Sequence, residues 1–213
     1  MTIKATSVAS ILAIWVASII AVSISPGAWW ILIFAFLSTG AVGASAWRRL
    51  GVSRLIAIMG IWAGLAVAVG YQEAAAWISV FAFLSTGAVV YSGMRRDAAV
   101  LGLGIAAPWI VSGAIVAHNG ESVAWAAVFA FLTAGGLANS RGNVARGVAS
   151  IIWWGAAGAV IVIAGDGWTW LCVPAFILAE ASVGFGDFHF PRGIEWDFFD
   201  RDGDKADESR WVN

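Results

Sequence analysis

Apolar residues gather into eight runs, at about 8–24, 28–46, 55–70, 75–93, 99–117, 122–139, 148–165 and 168–186. Each is about 17 to 20 residues long, roughly 25–30 Å as helix, which matches the ~30 Å hydrocarbon core of a bilayer. Water is absent there, so backbone groups need partners within their own segment, and helices supply them. A strand barrel would need alternating polarity in stretches of about ten residues, and these runs do not alternate. The pattern predicts an all-α polytopic membrane protein: eight transmembrane helices over 1–186, then a short tail at 187–213.

The breaks between runs collect turn formers and acids, as exposed helix connections require. They read Ser25-Pro26-Gly27, Tyr71-Gln72-Glu73, His118-Asn119-Gly120-Glu121 and Gly165-Asp166-Gly167. Cations obey a stricter rule. Lys4, Arg48, Arg49, Arg54, Arg95, Arg96, Arg141 and Arg146 all lie at the N-terminus or in even-to-odd connections, whereas Glu73, Glu121 and Asp166 lie in the odd-to-even ones. The positive-inside rule then predicts that both termini face the cytoplasm. Lys4 before an apolar stretch also fits a cleaved signal peptide, but run 8–24 is needed as the first helix of the repeat described next, which predicts its retention.

The segment Phe34-Ala35-Phe36-Leu37-Ser38-Thr39-Gly40-Ala41 recurs as Phe81-Ala82-Phe83-Leu84-Ser85-Thr86-Gly87-Ala88. Further copies read Phe129-Ala130-Phe131-Leu132-Thr133-Ala134-Gly135 and Pro174-Ala175-Phe176-Ile177-Leu178-Ala179-Glu180. Four residues before each stands a tryptophan (Trp30, Trp77, Trp125, Trp170), and further upstream come Trp15, Trp62, Trp109 and Trp154. The period of about 45 to 48 residues holds one two-helix hairpin and predicts stacked or ring-arranged units. Their boundaries fall near 8–51, 52–98, 99–146 and 147–186. All four enter from the same side, as parallel repeats, and not as the inverted repeats of many alternating-access carriers.

On a helical wheel Phe36, Gly40 and Ala44 share one stripe. Its counterparts are Phe83, Gly87 and Tyr91, then Phe131, Gly135 and Asn139, with Phe176 in the fourth copy. Small residues let backbones approach closely in lipid, so the stripe is expected to be a helix-packing surface. The outer-end tryptophans Trp30, Trp77, Trp125 and Trp170, with Trp29 and Trp168 beside them and Trp47 at an inner end, suit interface anchoring. Trp15, Trp62, Trp109 and Trp154 lie deeper and need partners for their N–H groups. A bound lipid, isoprenoid or pigment against these rings is the weaker alternative, and no cofactor is predicted.

Ala107-Pro108-Trp109, a Pro-Trp in the first helix of a two-helix unit with Trp125 opening the second, resembles the SPW-repeat family of small membrane proteins. Ala107 stands where that motif has serine, and the other units read Ile14-Trp15, Ile61-Trp62 and Trp153-Trp154. The resemblance implies a helical-hairpin membrane protein without an assigned reaction, and it carries over no catalytic residue.

Composition narrows the function. With 61% hydrophobic and 12% charged residues and a mean hydropathy of +0.85, the chain lacks half the usual charge of a soluble domain. A net charge of -1 leaves no basic footprint for nucleic acid. Cys172, the single cysteine, excludes a disulfide framework.

Glu180 is the most informative residue. It takes the repeat position of Gly40, Gly87 and Gly135, near mid-depth, where no Lys or Arg is expected. An intramembrane carboxylate is expensive and marks a candidate site. Ser38, Thr39, Ser85, Thr86 and Thr133 are its expected partners. The roles open to it are a structural hydrogen bond that pins the last unit, or a proton or cation site. Asp187, His189 and Glu195 fit no metal-site spacing, and His118 reads as a solvated turn residue.

The tail from Asp187 to Asn213 holds eight acids against four bases. Asp200, Asp202, Gly203 and Asp204 fail as an EF-hand, because Phe198 and Ser209 would fall at loop positions 1 and 12. An acidic tail is repelled by an anionic leaflet, yet Trp196, Phe198, Phe199 and Trp211 are apolar. It is expected either to dock on protein or to be disordered.

No phosphate loop, nucleophile–base pair or histidine cluster is present, so the chain reads as a non-enzyme. The expected role is a structural or accessory subunit whose partners are membrane lipids and other membrane subunits or copies of itself. The alternative is a channel or transporter for protons, small cations or small neutral solutes built on Glu180.

Overall fold

The computed structural model describes residues 5–45, 50–92, 99–140 and 144–181, and everything regular in them is helical. The α-helices are α1 (Ala5–Ile24), α2 (Ile31–Ala44), α3 (Val52–Tyr71), α4 (Ser79–Tyr91), α5 (Ala99–Asn119), α6 (Ala126–Asn139), α7 (Val144–Ala164) and α8 (Cys172–Ala181). The four odd helices run 20 or 21 residues, about 30 Å at 1.5 Å per residue. Six segments are long and apolar enough to cross a membrane: the odd helices, Glu73–Tyr91 and Glu121–Asn139. The chain is a membrane protein.

The even helices are shorter than the apolar runs predict. Each is entered through a 3-10 turn, at Pro26–Ala28, Glu73–Ile78, Glu121–Val123 and Asp166–Leu171. What stops the odd helices is local. Gly120 and Gly165 adopt φ of 94° and 91°, a conformation that glycine enters without Cβ strain, and they close α5 and α7. Pro26 cannot donate a backbone hydrogen bond and opens the turn after α1. His118, expected in a connection, lies in the last turn of α5. Lys4, Trp47, Arg48, Arg49, Arg95, Arg96, Arg141 and the tail from Asp187 lie outside the described residues.

The helices form two rows. In one, α1 packs on α3, α3 on α5 and α5 on α7; in the other α2, α4, α6 and α8 follow in the same order, each even helix also touching the odd helix before it. The odd helices run parallel. Thr6 Oγ1 donates to the Leu50 carbonyl (2.6 Å) at one end of α1, and Ser25 Oγ donates to the Val69 carbonyl (2.9 Å) at the other. The even helices run back against them, since Arg54, in the first turn of α3, donates to the Ser92 carbonyl at the end of α4 (2.6 Å).

The two rows pack by different means. In the odd row, backbones touch. A Cβ at Gly64 would overlap the Trp109 carbonyl, one at Gly113 the Gly64 carbonyl, one at Gly102 the Ser53 carbonyl, and one at Gly60 the side chain of Ala106. Between α5 and α7, Gly104 and Gly147 meet in the same way.

In the even row, phenylalanines hold neighbours apart. Phe34 meets Phe83 (centroids 6.1 Å), Phe81 meets Phe131 (5.6 Å) and Phe129 meets Phe176 (5.8 Å). Each is the first phenylalanine of one motif copy against the second of the next. Phe36 has no preceding copy to receive it and is 67% exposed. This corrects the expected packing stripe. A Cβ at Gly40, Gly87 or Gly135 would meet nothing within 4 Å, because the rings between even helices already set their spacing. Phe83, Phe131 and Phe176 pack; the glycines beside them do not.

At Pro108 a helix break becomes a helix contact. Proline has no N–H, so the carbonyl four residues back, on Gly104, loses its helical partner. Ser150 Oγ, from α7, donates to that carbonyl at 2.8 Å, with both groups buried.

Candidate functional site

Glu180 sits in the last turn of α8. Its carboxylate lies against Gly136 of α6, where a side chain on residue 136 would displace it. The cation whose charge reaches it is Arg146, in the first turn of α7 and only 8% exposed. The expected mid-depth position is therefore corrected. Glu180 stands near the end of the bundle where α7 begins, and a buried arginine stands at the same level.

The sequence pointed at Glu180 but counted Arg146 as one more inner-loop cation and passed over Gly136. The first residues of α7 turn Arg146 inward, toward α8. Arg54 is its counterpart in α3, also in a first turn and 6% exposed. Arg54 ties the start of α3 to the end of α4 through the Ser92 carbonyl. Guanidinium suits this place, since the last carbonyls of a helix carry partial negative charge.

None of the five expected hydroxyl partners of Glu180 is seen bonded to it, and the three threonines are committed elsewhere. Thr39, Thr86 and Thr133 donate to the carbonyls four residues back, Ala35, Ala82 and Phe129 (2.8–2.9 Å). Ser38 and Ser85 are buried and their hydroxyls have no partner among the described residues.

Two of the four deep tryptophans find threonines. Trp62 Nε1 donates to Thr86 Oγ1 (3.0 Å), and Trp154 Nε1 donates to Thr133 Oγ1 (3.2 Å). Trp109 Nε1 is buried without an acceptor among the described residues; the third motif copy has Ala134 where the second has Thr86. A direct comparison follows. Trp62→Phe and Trp109→Phe both shrink a buried side chain, but only the first removes a hydrogen bond. Trp62→Phe is therefore expected to lose about 1 kcal/mol more stability, read as a larger drop in thermal midpoint in detergent.

The outer-end tryptophans stack edge-on upon the phenylalanine one turn later: Trp30 on Phe34, Trp77 on Phe81 and Trp125 on Phe129, all at 5.8–5.9 Å. Trp170 has Pro174 there instead and stacks with Trp168 at 6.0 Å. These rings serve packing as much as anchoring. No group of three or more potential metal-ligating side chains occurs among the described residues. Chemically the corner of α6, α7 and α8 sets a carboxylate against the Gly136 backbone within electrostatic reach of a buried arginine. No known protein family, curated protein or solved structure matches the chain.

Proposed function

We propose that the chain crosses the bilayer eight times as four parallel hairpins, similar in layout to the SPW-repeat proteins, with both termini cytoplasmic. In this reading it is a non-enzymatic structural or accessory subunit of a membrane assembly. One observation carries the role. The most faithfully repeated small residues, Gly40, Gly87 and Gly135, have open space where their side chains would be. A residue kept at one height in three copies, and unused by packing among the described residues, serves a surface outside them. Lipid alone does not call for glycine, since bulky aliphatics cover a lipid-facing helix as well.

Purification from native membranes in mild detergent tests the role. Stoichiometric foreign membrane subunits, lost on Gly87→Leu, are the expected result. A preparation free of foreign subunits, with the same composition in Gly87→Leu, overturns it. Topology has its own test by cysteine labelling. Glu73→Cys and Glu121→Cys should react with an impermeant reagent in intact cells, and Arg95→Cys only after permeabilisation.

Transport through Glu180 is the second reading, and a buried arginine within electrostatic reach of it weighs toward a structural role. Glu180 packs against Gly136 within electrostatic reach of Arg146, an arrangement that suits a contact pinning α8 to its neighbours. Glu180→Gln is then expected to lower thermal stability, with proton or cation flux in proteoliposomes indistinguishable from empty vesicles before and after the change. Flux that is present in the native chain and abolished in Glu180→Gln would restore the transport reading.

A further inference from the structure

The odd row stops at α7, and its free side is built like its joined ones. Each odd helix meets the next through the face opposite the one that meets its predecessor. On α3 that face includes Gly60 and Gly64, two residues before and two after Trp62, and it receives α5. On α5 it includes Val111, two residues after Trp109, which meets Gly158 of α7. On α7 the same count from Trp154 gives Ile152 and Ala156, both exposed. Around them lie Gly155, Ala159, Val160 and Ile163, also exposed, and Ile163 at 86% is the most exposed large hydrophobic side chain described.

The six residues read Ile-x-x-Gly-Ala-x-x-Ala-Val-x-x-Ile along one side of the helix. Gly155 and Ala159, four apart, with Ala156 beside them and branched aliphatics flanking, let parallel helices cross closely enough for backbones to touch. The other end of the row is built differently. Where α5 and α7 present Gly102, Gly113 and Gly147 to their predecessors, the corresponding side of α1 carries Val8, Leu12, Val16 and Ile19, all exposed and none small. That is a lipid-facing edge. α7 continues the backbone-contact interface that joins α3 to α5 and α5 to α7, and no further helix among the described residues fills it.

We propose that two copies of this chain join through α7, seam against seam, about a two-fold axis along the membrane normal. A second copy is the occupant the observations favour, because its α7 lies in the same membrane, at the same depth and in the same direction. A two-fold contact also requires a surface complementary to itself, and a small-residue seam bordered by aliphatics is such a surface. Head-to-tail joining, α7 on α1, would set the seam against bulky side chains and leave both backbones out of reach. The proposal rests on the membrane-spanning part of the functional reading and not on the accessory role.

Disulfide cross-linking in native membranes tests it. Cys172 is the chain's only cysteine and is buried; in a Cys172→Ala background, single cysteines are placed at Ile152, Ala156, Ala159 and Ile163. Mild oxidation is expected to give dimers at these four positions, and none from Leu12→Cys on α1 or from Ala157→Cys on the inward side of α7. Ala156→Leu and Ala159→Leu should weaken dimerisation about ten-fold or more, measured by fluorescence transfer between labelled copies in liposomes. Both face outward and should leave the thermal midpoint unchanged. Cross-links through Leu12, cross-links to a foreign protein at the α7 positions, or a monomer throughout would each overturn the proposal. Foreign subunits found or missing in the purified assembly bear on the accessory role and leave this result standing.

Discussion

Gly64→Leu is expected to prevent the chain from folding, while Gly40→Leu and Gly87→Leu leave it folded. All three are glycines in apolar helices, and sequence pattern alone ranks the last two as the packing positions. The structure reverses that order. A Cβ on Gly64 would lie inside contact distance of the Trp109 carbonyl, and Gly113 returns the contact from α5 to the Gly64 carbonyl. Two backbones meet there, so no side chain can rotate out of the way. The helices must separate, and with them the buried Trp62 and Trp109. Overpacking a core typically costs about 1–3 kcal/mol where side chains can yield; a contact made by rigid helix backbone lies above that range. In membrane extracts, Gly64→Leu should run as aggregate on size-exclusion chromatography. Gly40→Leu and Gly87→Leu should run as the native chain, within about 0.5 kcal/mol of its stability, as outward substitutions usually do. A folded Gly64→Leu protein would show that α3 and α5 do not approach as described.

That reversal marks the limit of what the residues disclosed. Hydropathy was enough to find the apolar helices, because segment length and bilayer thickness are tied by helix geometry alone. The tryptophan and phenylalanine motifs were legible too, since an exact copy needs no structure to be seen. Which face of each helix meets a neighbour was not legible. No helix has a charged side to tell the inside from the outside, and small residues occur on both. The signal that was there is the hydroxyls, since Ser7, Ser10 and Ser18 of α1 and Ser38, Ser85, Ser112 and Ser150 further on are all buried. Only the Phe34–Phe83 type of contact shows that rings, and not glycines, space the even row. Glu180 was found by its type. Its depth was misjudged because the 3-10 turn Asp166–Leu171 takes up the start of the apolar run, so that α8 begins only at Cys172. Arg146 was hidden by its neighbourhood: it follows a connection rich in polar residues, and only the helix start at Val144 turns it into the bundle.

Pro108 gives the second large effect, and it is a coupling between two positions. Ser150→Ala alone leaves the Gly104 carbonyl buried with neither a helical N–H nor a hydroxyl to satisfy it. The loss should be about 1–3 kcal/mol, the desolvation penalty of a buried acceptor left without a donor. Pro108→Ala alone restores an N–H four residues after Gly104, which then competes with Ser150 for the same carbonyl. In the double variant the new N–H serves the carbonyl and the missing hydroxyl no longer matters, so Ser150→Ala should be nearly neutral in the Pro108→Ala background. A double-mutant cycle on thermal or denaturant unfolding reads this as an interaction energy of about 1 kcal/mol or more, within the usual span for residues in contact. Simple additivity would mean that the Ser150 hydroxyl does not substitute for the hydrogen bond that proline removes. The pairing is specific to this place in the row. Counted from the odd-helix tryptophan, the position of Ser150 holds Ile11, Ile58 and Ile105 in the other three helices, and α5 alone, the helix Ser150 faces, has a proline inside it. A helix can lose a backbone hydrogen bond deep in an apolar bundle when the helix packed beside it brings the missing donor.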